Sequence, residues 1–158
     1  MKNKTETPSA KEPVAAYASL VYNPMSVIFG AGYANATDFD LLVLARKGIS
    51  KKALTTLAKQ IALTLEEIAK VLHISERTLQ RYEPTTLVKT EYADRAIELA
   101  RLYERGIDVL GSQEAFNSWL KTPNYALGNE IPLHLLDTHI GFTMVFDVLG
   151  RIEHGIFS

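Results

Sequence analysis

The stretch LEEIAKVLHISERTLQRY, residues 65–82, decides how this chain is read. It fits a helix-turn-helix position by position. Ala69 stands where two helices cross and only a small side chain fits. His73 holds the turn position that usually takes a left-handed residue, a conformation histidine tolerates better than most. Ile68, Leu72, Ile74 and Leu79 supply an apolar wedge between the two helices. Ser75, Glu76, Arg77, Thr78, Gln80 and Arg81 remain on or near the free face of the second helix. Those residue types suit DNA, since arginine reads guanine, glutamine reads adenine, and serine or threonine adds phosphate contacts. Two adjacent short helices of an ordinary α-bundle would give a similar pattern, so the flanking sequence has to weigh in.

Charge is the first flanking signal. The 158 residues carry a formal net charge of −1, which by itself argues against nucleic acid. From Arg46 to Arg81, however, eight basic residues (Arg46, Lys47, Lys51, Lys52, Lys59, Lys70, Arg77, Arg81) face three acids (Glu66, Glu67, Glu76). A basic block in an otherwise acidic chain is the asymmetry of a nucleic-acid-binding segment, with a solvated helical face as the alternative. At 47% hydrophobic and 22% charged, the chain can build a real core. It has no cysteine, which excludes disulfides and thiolate metal sites. The lead MKNKTETPSAKEP, residues 1–13, has no apolar run resembling a secretion signal, and no apolar stretch approaches the roughly 20 residues that cross a bilayer. The expectation is a soluble, cytoplasmic protein with no membrane partner.

Helix signals recur along the rest of the chain. Residues 1–13 read as a disordered lead, and residues 14–22 as a short apolar run ended by Asn23-Pro24. Gly30 and Gly32 mark a loop. Thr37-Asp38 opens FDLLVLARK, which Gly48 closes as a left-handed C-cap. Ser50 precedes KKALTTLAKQI, and Thr64 with Glu67 forms a capping box. Ser75 opens the second helix of the motif, which Pro84 stops. Thr90 opens a long helix to about Leu110, with Ala93, Ala96, Ile97, Ala100, Ile107 and Leu110 on one stripe, stopped by Gly111. Ser112 starts QEAFNSWLK. A last helix from about Thr138 carries Met144, Val145, Val148, Leu149 and Ile152 at core spacing. No convincing period-2 run appears. The fold expected is all-α: a flexible segment over 1–35, a helix-turn-helix bundle over 36–89, and a smaller, more acidic helical unit over 90–158. Helix-turn-helix units usually act as dimers on paired half-sites, so a homodimer is expected.

The C-terminal third holds a second motif. WLKTPNYALGNEIPLHLLDT spans residues 119–138, Gly141 follows, and GRIEHG closes at 150–155. Here the chain resembles the Xre/MbcA/ParS-type antitoxins. Their toxin-binding domain reads Trp-Leu, Pro-Asn-x-x-Leu-Gly-Gly, Pro-x-x-Leu-Leu-x-Thr, Gly, and a closing Ile-x-x-Gly. The resemblance covers about residues 99–158, and RTLQRY at 77–82 matches the helix-turn-helix half that the family carries ahead of it. Asn129 stands where the second glycine is usual. Asparagine also tolerates left-handed φ, so the turn should survive. Read from the residues alone, Trp119 and Leu120 are core, Pro123, Gly128 and Pro132 shape a turn, and Thr138 is an N-cap.

The resemblance implies an antidote of a type II toxin–antitoxin system. Its partner would be a RES-type toxin that depletes NAD. The antitoxin would cover the toxin's active site with its C-terminal region and bind its own operator with its N-terminal region. On that reading Arg151, Glu153, His154, Ile156 and Phe157 form a plug, with Glu153 and the terminal carboxylate facing basic groups of the toxin. A tail folded back on its own last helix would bury Ile156 and Phe157 equally well.

Rival readings find less support. His134, His139, Glu130 and Asp137 are the one local cluster of titratable groups, and histidines five apart on a helix point about 140° apart. GAG at 30–32 lacks the third glycine and the preceding strand of a dinucleotide fingerprint. No catalytic residue, metal or cofactor is therefore expected. A DNA-binding regulator whose C-terminal domain senses a ligand or dimerises remains the alternative.

Overall fold

The computed structural model of the chain describes residues 24–33 and 35–156. The expected lead, the apolar run over 14–22 and Phe157 lie outside the described residues. Nine α-helices are described: α1 Pro24–Phe29, α2 Asp38–Lys47, α3 Lys51–Gln60, α4 Leu65–Leu72, α5 Glu76–Arg81, α6 Thr90–Leu110, α7 Gln113–Leu120, α8 Pro132–Leu135 and α9 His139–Glu153. Two 3-10 turns, Ala31–Tyr33 and Tyr125–Leu127, complete the list. Among the described residues there is no strand, only the isolated bridges Ser50–Leu87 and Asn124–Glu130. The fold is all-α. No described helix is long and apolar enough to cross a membrane.

Helix starts are set by local chemistry. Thr37, Ser50, Thr64, Ser75, Ser112 and Thr138 each accept, through the side-chain oxygen, the amide three residues on. Each bond satisfies one of the four amides that a helix leaves orphaned at its N-terminus. Thr90 departs from this pattern. It is already the first helical residue, and Lys89 before it makes no side-chain cap. Gly48 also differs from expectation: its φ of 88° is positive but its ψ of 162° is extended, not left-handed helical. A Cβ there would come within 2.9 Å of the Val88 carbonyl oxygen, so close approach of backbone explains the glycine.

Residues 24–29, assigned above to the flexible segment, form α1 and pack against α3 and α6. Pro24 sits at the first helical position, where its fixed φ and missing N–H favour a helix start, and Met25 is buried. The proline that seemed to end one segment begins the next.

The long helix α6 is the spine. The expected stripe holds for Ala93, Ala96, Ile97 and Ala100, while Ile107 and Leu110 are only half-buried. Leu99, Leu102, Tyr103 and Gly106 are buried as well, so apolar cover surrounds much of the helix. α1, α2 and α4 pack on it from the N-terminal half, α7 and α9 from the C-terminal half. Buried residues from Met25 to Leu149 form one cluster that runs through both halves. Gly106 has its own reason: an added Cβ would lie 2.2 Å from the Phe116 ring. That ring meets Tyr103 edge-on at 4.8 Å and stacks on Trp119 at 5.9 Å. Leu120 is fully buried, Trp119 half-buried.

Candidate functional site

The pair α4–α5 is built as the sequence suggested. Thr64 and Glu67 exchange both bonds of a capping box, at 2.8 and 3.1 Å. His73 ends α4 at φ 57°, ψ 34°, a left-handed residue in the turn. Ile68, Leu72 and Leu79 are fully buried, and Ile74 and Ala69 nearly so. Ser75, Glu76, Arg77, Thr78, Gln80 and Arg81 are all exposed. Leu79 is the one residue of α5 that anchors the helix, and the rest face solvent.

Details of that face refine the assignments. The Ser75 hydroxyl accepts the Thr78 amide at 3.0 Å and lies 2.7 Å from the Thr78 hydroxyl, so the N-cap and any phosphate contact share one oxygen pair. Gln80 donates to Glu76 at 3.0 Å, one turn back. Arg77 and Arg81, also one turn apart, have no ion-pair partner among the described residues. Two members of the basic block are engaged elsewhere. Lys70 pairs with Glu66 at 2.7 Å. Lys51 donates to the carbonyls of Gln80 at 2.9 Å and Tyr82 at 2.6 Å, closing the C-terminal end of α5. Sequence reasoning counted Lys51 as surface charge. Its bonding role depends on a partner 29 residues away, which no local pattern signals.

The C-terminal motif residues fix a shape. The Asn124 side chain accepts the Ala126 amide at 2.9 Å, and its backbone exchanges bonds with Glu130 and Asn129 at 3.0 and 2.9 Å. Gly128 and Asn129 follow at φ 70° and 64°, so asparagine does take the second left-handed position. Pro132 starts α8, and Thr138 caps α9 through the Gly141 amide at 3.0 Å. A Cβ on Gly141 would sit 1.7 Å from the Leu135 carbonyl oxygen, so α9 crosses the α8 turn at backbone contact.

α9 buries Gly141, Phe142, Val145, Val148 and Leu149. Met144 is a correction: expected in the core, it is 41% exposed. At 100° per residue the buried arc centres near Val145 and leaves Met144 at its edge. Met144 belongs instead with Ile140, Asp147 and Arg151, which lie within about 60° of one another on the opposite side. All four are exposed. Ile140 is 74% exposed and Tyr125, in the preceding turn, 83%; neither was singled out from sequence.

The expected plug residues divide. The helix ends in a Schellman turn, with Gly155 at φ 66° and the Ile156 amide donating to the Arg151 carbonyl at 2.9 Å. Ile156 is 57% exposed, so the tail as far as Ile156 is not packed into its own core. Arg151 and His154 are exposed too. Glu153 differs, because Arg105 of α6 holds both of its oxygens.

The two halves are tied by polar contacts. The His73 ring donates through Nε2 to the Asp137 carbonyl, which also accepts from Arg95 at 3.1 Å. Lys121 pairs with Glu67 at 3.0 Å, and Gln113 donates to the Gln60 carbonyl at 2.6 Å. Burial raises the Glu67 carboxyl, but the Thr64 amide and Lys121 outweigh it and hold it below the usual range. Burial pushes Glu98 up against the opposing pull of His139, 3.1 Å away.

Comparison with known proteins matches both halves. The antitoxin Xre-like helix-turn-helix domain matches residues 40–101, and the antitoxin Xre/MbcA/ParS C-terminal toxin-binding domain matches residues 105–155. The chain belongs to the Xre/MbcA/ParS family of antitoxins. It is similar to Antitoxin Xre of Yersinia enterocolitica, at 29% identity over 115 residues, 72% of this chain and 78% of the relative. Antitoxin Xre of Photorhabdus laumondii is 34% identical over 67 residues, 42% of this chain and 45% of that one. A Sphingobium protein named Prs ADP-ribosylating antitoxin is 26% identical over 133 residues, 78% of this chain and 84% of the relative.

Proposed function

We propose that this antitoxin neutralises a RES-type, NAD-consuming toxin by occluding its active site, and represses its own operator as a homodimer in the cytoplasm. It acts by covering a site, not by catalysis. The observation that carries the toxin arm is the uncovered stripe Ile140–Met144–Asp147–Arg151 along α9, together with the exposed Ile156 past the end of that helix. Exposed isoleucine and methionine on one face, flanked by Asp147 and Arg151, are suited to an apolar pocket of a partner with a polar rim. Arg151, His154, Ile156 and Phe157 make the plug, while Glu153 supports it from the Arg105 pair. The name of the Sphingobium relative contains ADP-ribosylation, chemistry that consumes NAD and fits an NAD-consuming partner. Residues 90–158 supply this arm and residues 36–89 the operator arm, where Arg77, Gln80 and Arg81 read bases, Ser75 and Thr78 set the helix against the backbone, and Glu76 steadies Gln80 from one turn back.

The test is co-expression with the product of the neighbouring gene, followed by pull-down and measurement of cellular NAD. Wild-type chain should bind the partner and preserve NAD. Ile140→Asp with Ile156→Asp should leave the free protein's melting unchanged, because both side chains are exposed, while partner affinity falls about tenfold to a hundredfold. A doubly substituted chain that still protects fully would remove this face from the toxin interface.

A further inference from the structure

Helix α2, which precedes the α4–α5 pair in the chain, presents a second exposed apolar face, and Leu42 on it borders a groove that α2 shares with α6 and α9. Phe39 is 70% exposed, Leu42 42% and Val43 49%. With exposed Arg46 they stand at i, i+3, i+4 and i+7, an arc of about 100° opposite the buried Leu41, Leu44 and Ala45. We propose that this face is the antitoxin's self-association surface, two α2 helices packing antiparallel about a twofold axis that passes between Leu42 and Val43.

The argument for a second copy is the helix's own charge order. Its first turn carries Asp38 and Asp40, its last turn Arg46 and Lys47. An isologous contact places residue i against j and j against i. With the axis between positions 42 and 43, Phe39 meets Arg46 of the other copy, a cation–π pair. Asp40, which also accepts from the Thr37 amide and hydroxyl, shares one flank with Lys47, and across the axis the two stand about 3 Å apart in height, a gap the lysine side chain spans. Leu42 and Val43 close the centre. Asp38, on the other flank, is already paired with Arg101 of α6 at 3.2 Å and stays outside. A parallel arrangement would set like charges together, so the sequence of this one helix selects the antiparallel pairing.

This names the surface of the homodimer proposed above and rests on that reading, yet it is tested without DNA or toxin. One pair of ten-residue helices falls at the small end of specific interfaces, under about 1,200 Å². Association should therefore be concentration-dependent, near the micromolar range, and reinforced on DNA by two half-sites. The experiment uses the full chain, which contains no cysteine of its own. Val43→Cys places one thiol beside the axis and should give a disulfide-linked dimer on mild oxidation. Ser118→Cys, exposed on α7, should not. In sedimentation, Leu42→Arg and Lys47→Glu should each weaken self-association by about tenfold or more, with helical content retained. A dimer that forms but neither cross-links at 43 nor responds to these substitutions overturns the surface and leaves the dimer standing. A chain that stays monomeric overturns both, while operator binding is judged separately by gel shift.

Discussion

The Arg95 guanidinium donates to the backbone carbonyl of Asp137 across 42 positions of sequence, at 3.1 Å. The same nitrogen reaches the Val71 carbonyl at 3.4 Å. One side chain of the long helix thus holds the end of α4 and the residue just before the cap of α9. Arg95→Ala should cost about 1–2 kcal/mol and lower the Tm by about 3–6 °C. Helical circular dichroism and Trp119 fluorescence should move together, because the residue serves both halves. A variant melting with the wild type would show these bonds to be incidental.

Gly141→Ala should be among the most damaging single changes. The added methyl group would meet the Leu135 carbonyl oxygen at 1.7 Å, backbone against backbone, with no flexible side chain to yield. Replacing a helical glycine by alanine ordinarily gains about 1 kcal/mol. Here the expected outcome is a net loss of about 3 kcal/mol, read from chemical denaturation. A neutral result would place α8 farther from α9 than described.

The Glu67 carboxyl makes a prediction about acid. It is held below the usual range in the folded chain, so it contributes stability above the unfolded value of about 4.3 and loses it as pH falls through the folded one. Glu98 is raised by burial and acts oppositely, gaining for the fold as pH drops. Glu67→Gln should lower the Tm at neutral pH and flatten its fall below pH of about 4. An unchanged acid profile would mean that Lys121 and Thr64 do little for this group.

For the DNA arm, Arg77→Ala and Arg81→Ala should each weaken operator binding by about 1–3 kcal/mol if the side chain reaches a guanine, and both should reduce the salt dependence. Lys51→Met should weaken binding by a different route. It leaves the exposed face of α5 intact but frees the Gln80 and Tyr82 carbonyls, and the loss should come with a lower Tm. Gel-shift titrations over several salt concentrations separate the two cases.

What the sequence made legible was local. The caps at Thr64, Ser75 and Thr138 act on amides three residues away, and His73 and Asn129 announce left-handed turns by residue type. The resemblance at 119–138 pointed to the family through residues that shape a turn. What stayed hidden depended on distance. Lys51 bonding to α5, Arg105 bonding to Glu153 and Arg95 bonding to Asp137 each join positions 29 or more apart. Met144 failed for a geometric reason, since a five-residue apolar run of core spacing has two edges and only the neighbouring helices decide which is wet. The same limit hid the wider burial of α6, where Leu99 and Leu102 become core only through the helices packed around it and Tyr103 meets Phe116 of α7.

Sharing one spine has a consequence for how such a chain disappears. A fragment beginning at Thr90 would carry a helix stripped of α1, α2 and α4, with Ala93, Ala96 and Leu99 open to water. The two arms therefore have no independent lifetime. A protease that pulled open either end would unravel a single cooperative unit, and on the function proposed above the grip on the partner and the grip on DNA would be lost in the same event. Release of the partner and the restart of transcription would then share one clock, set by the slowest opening of α6.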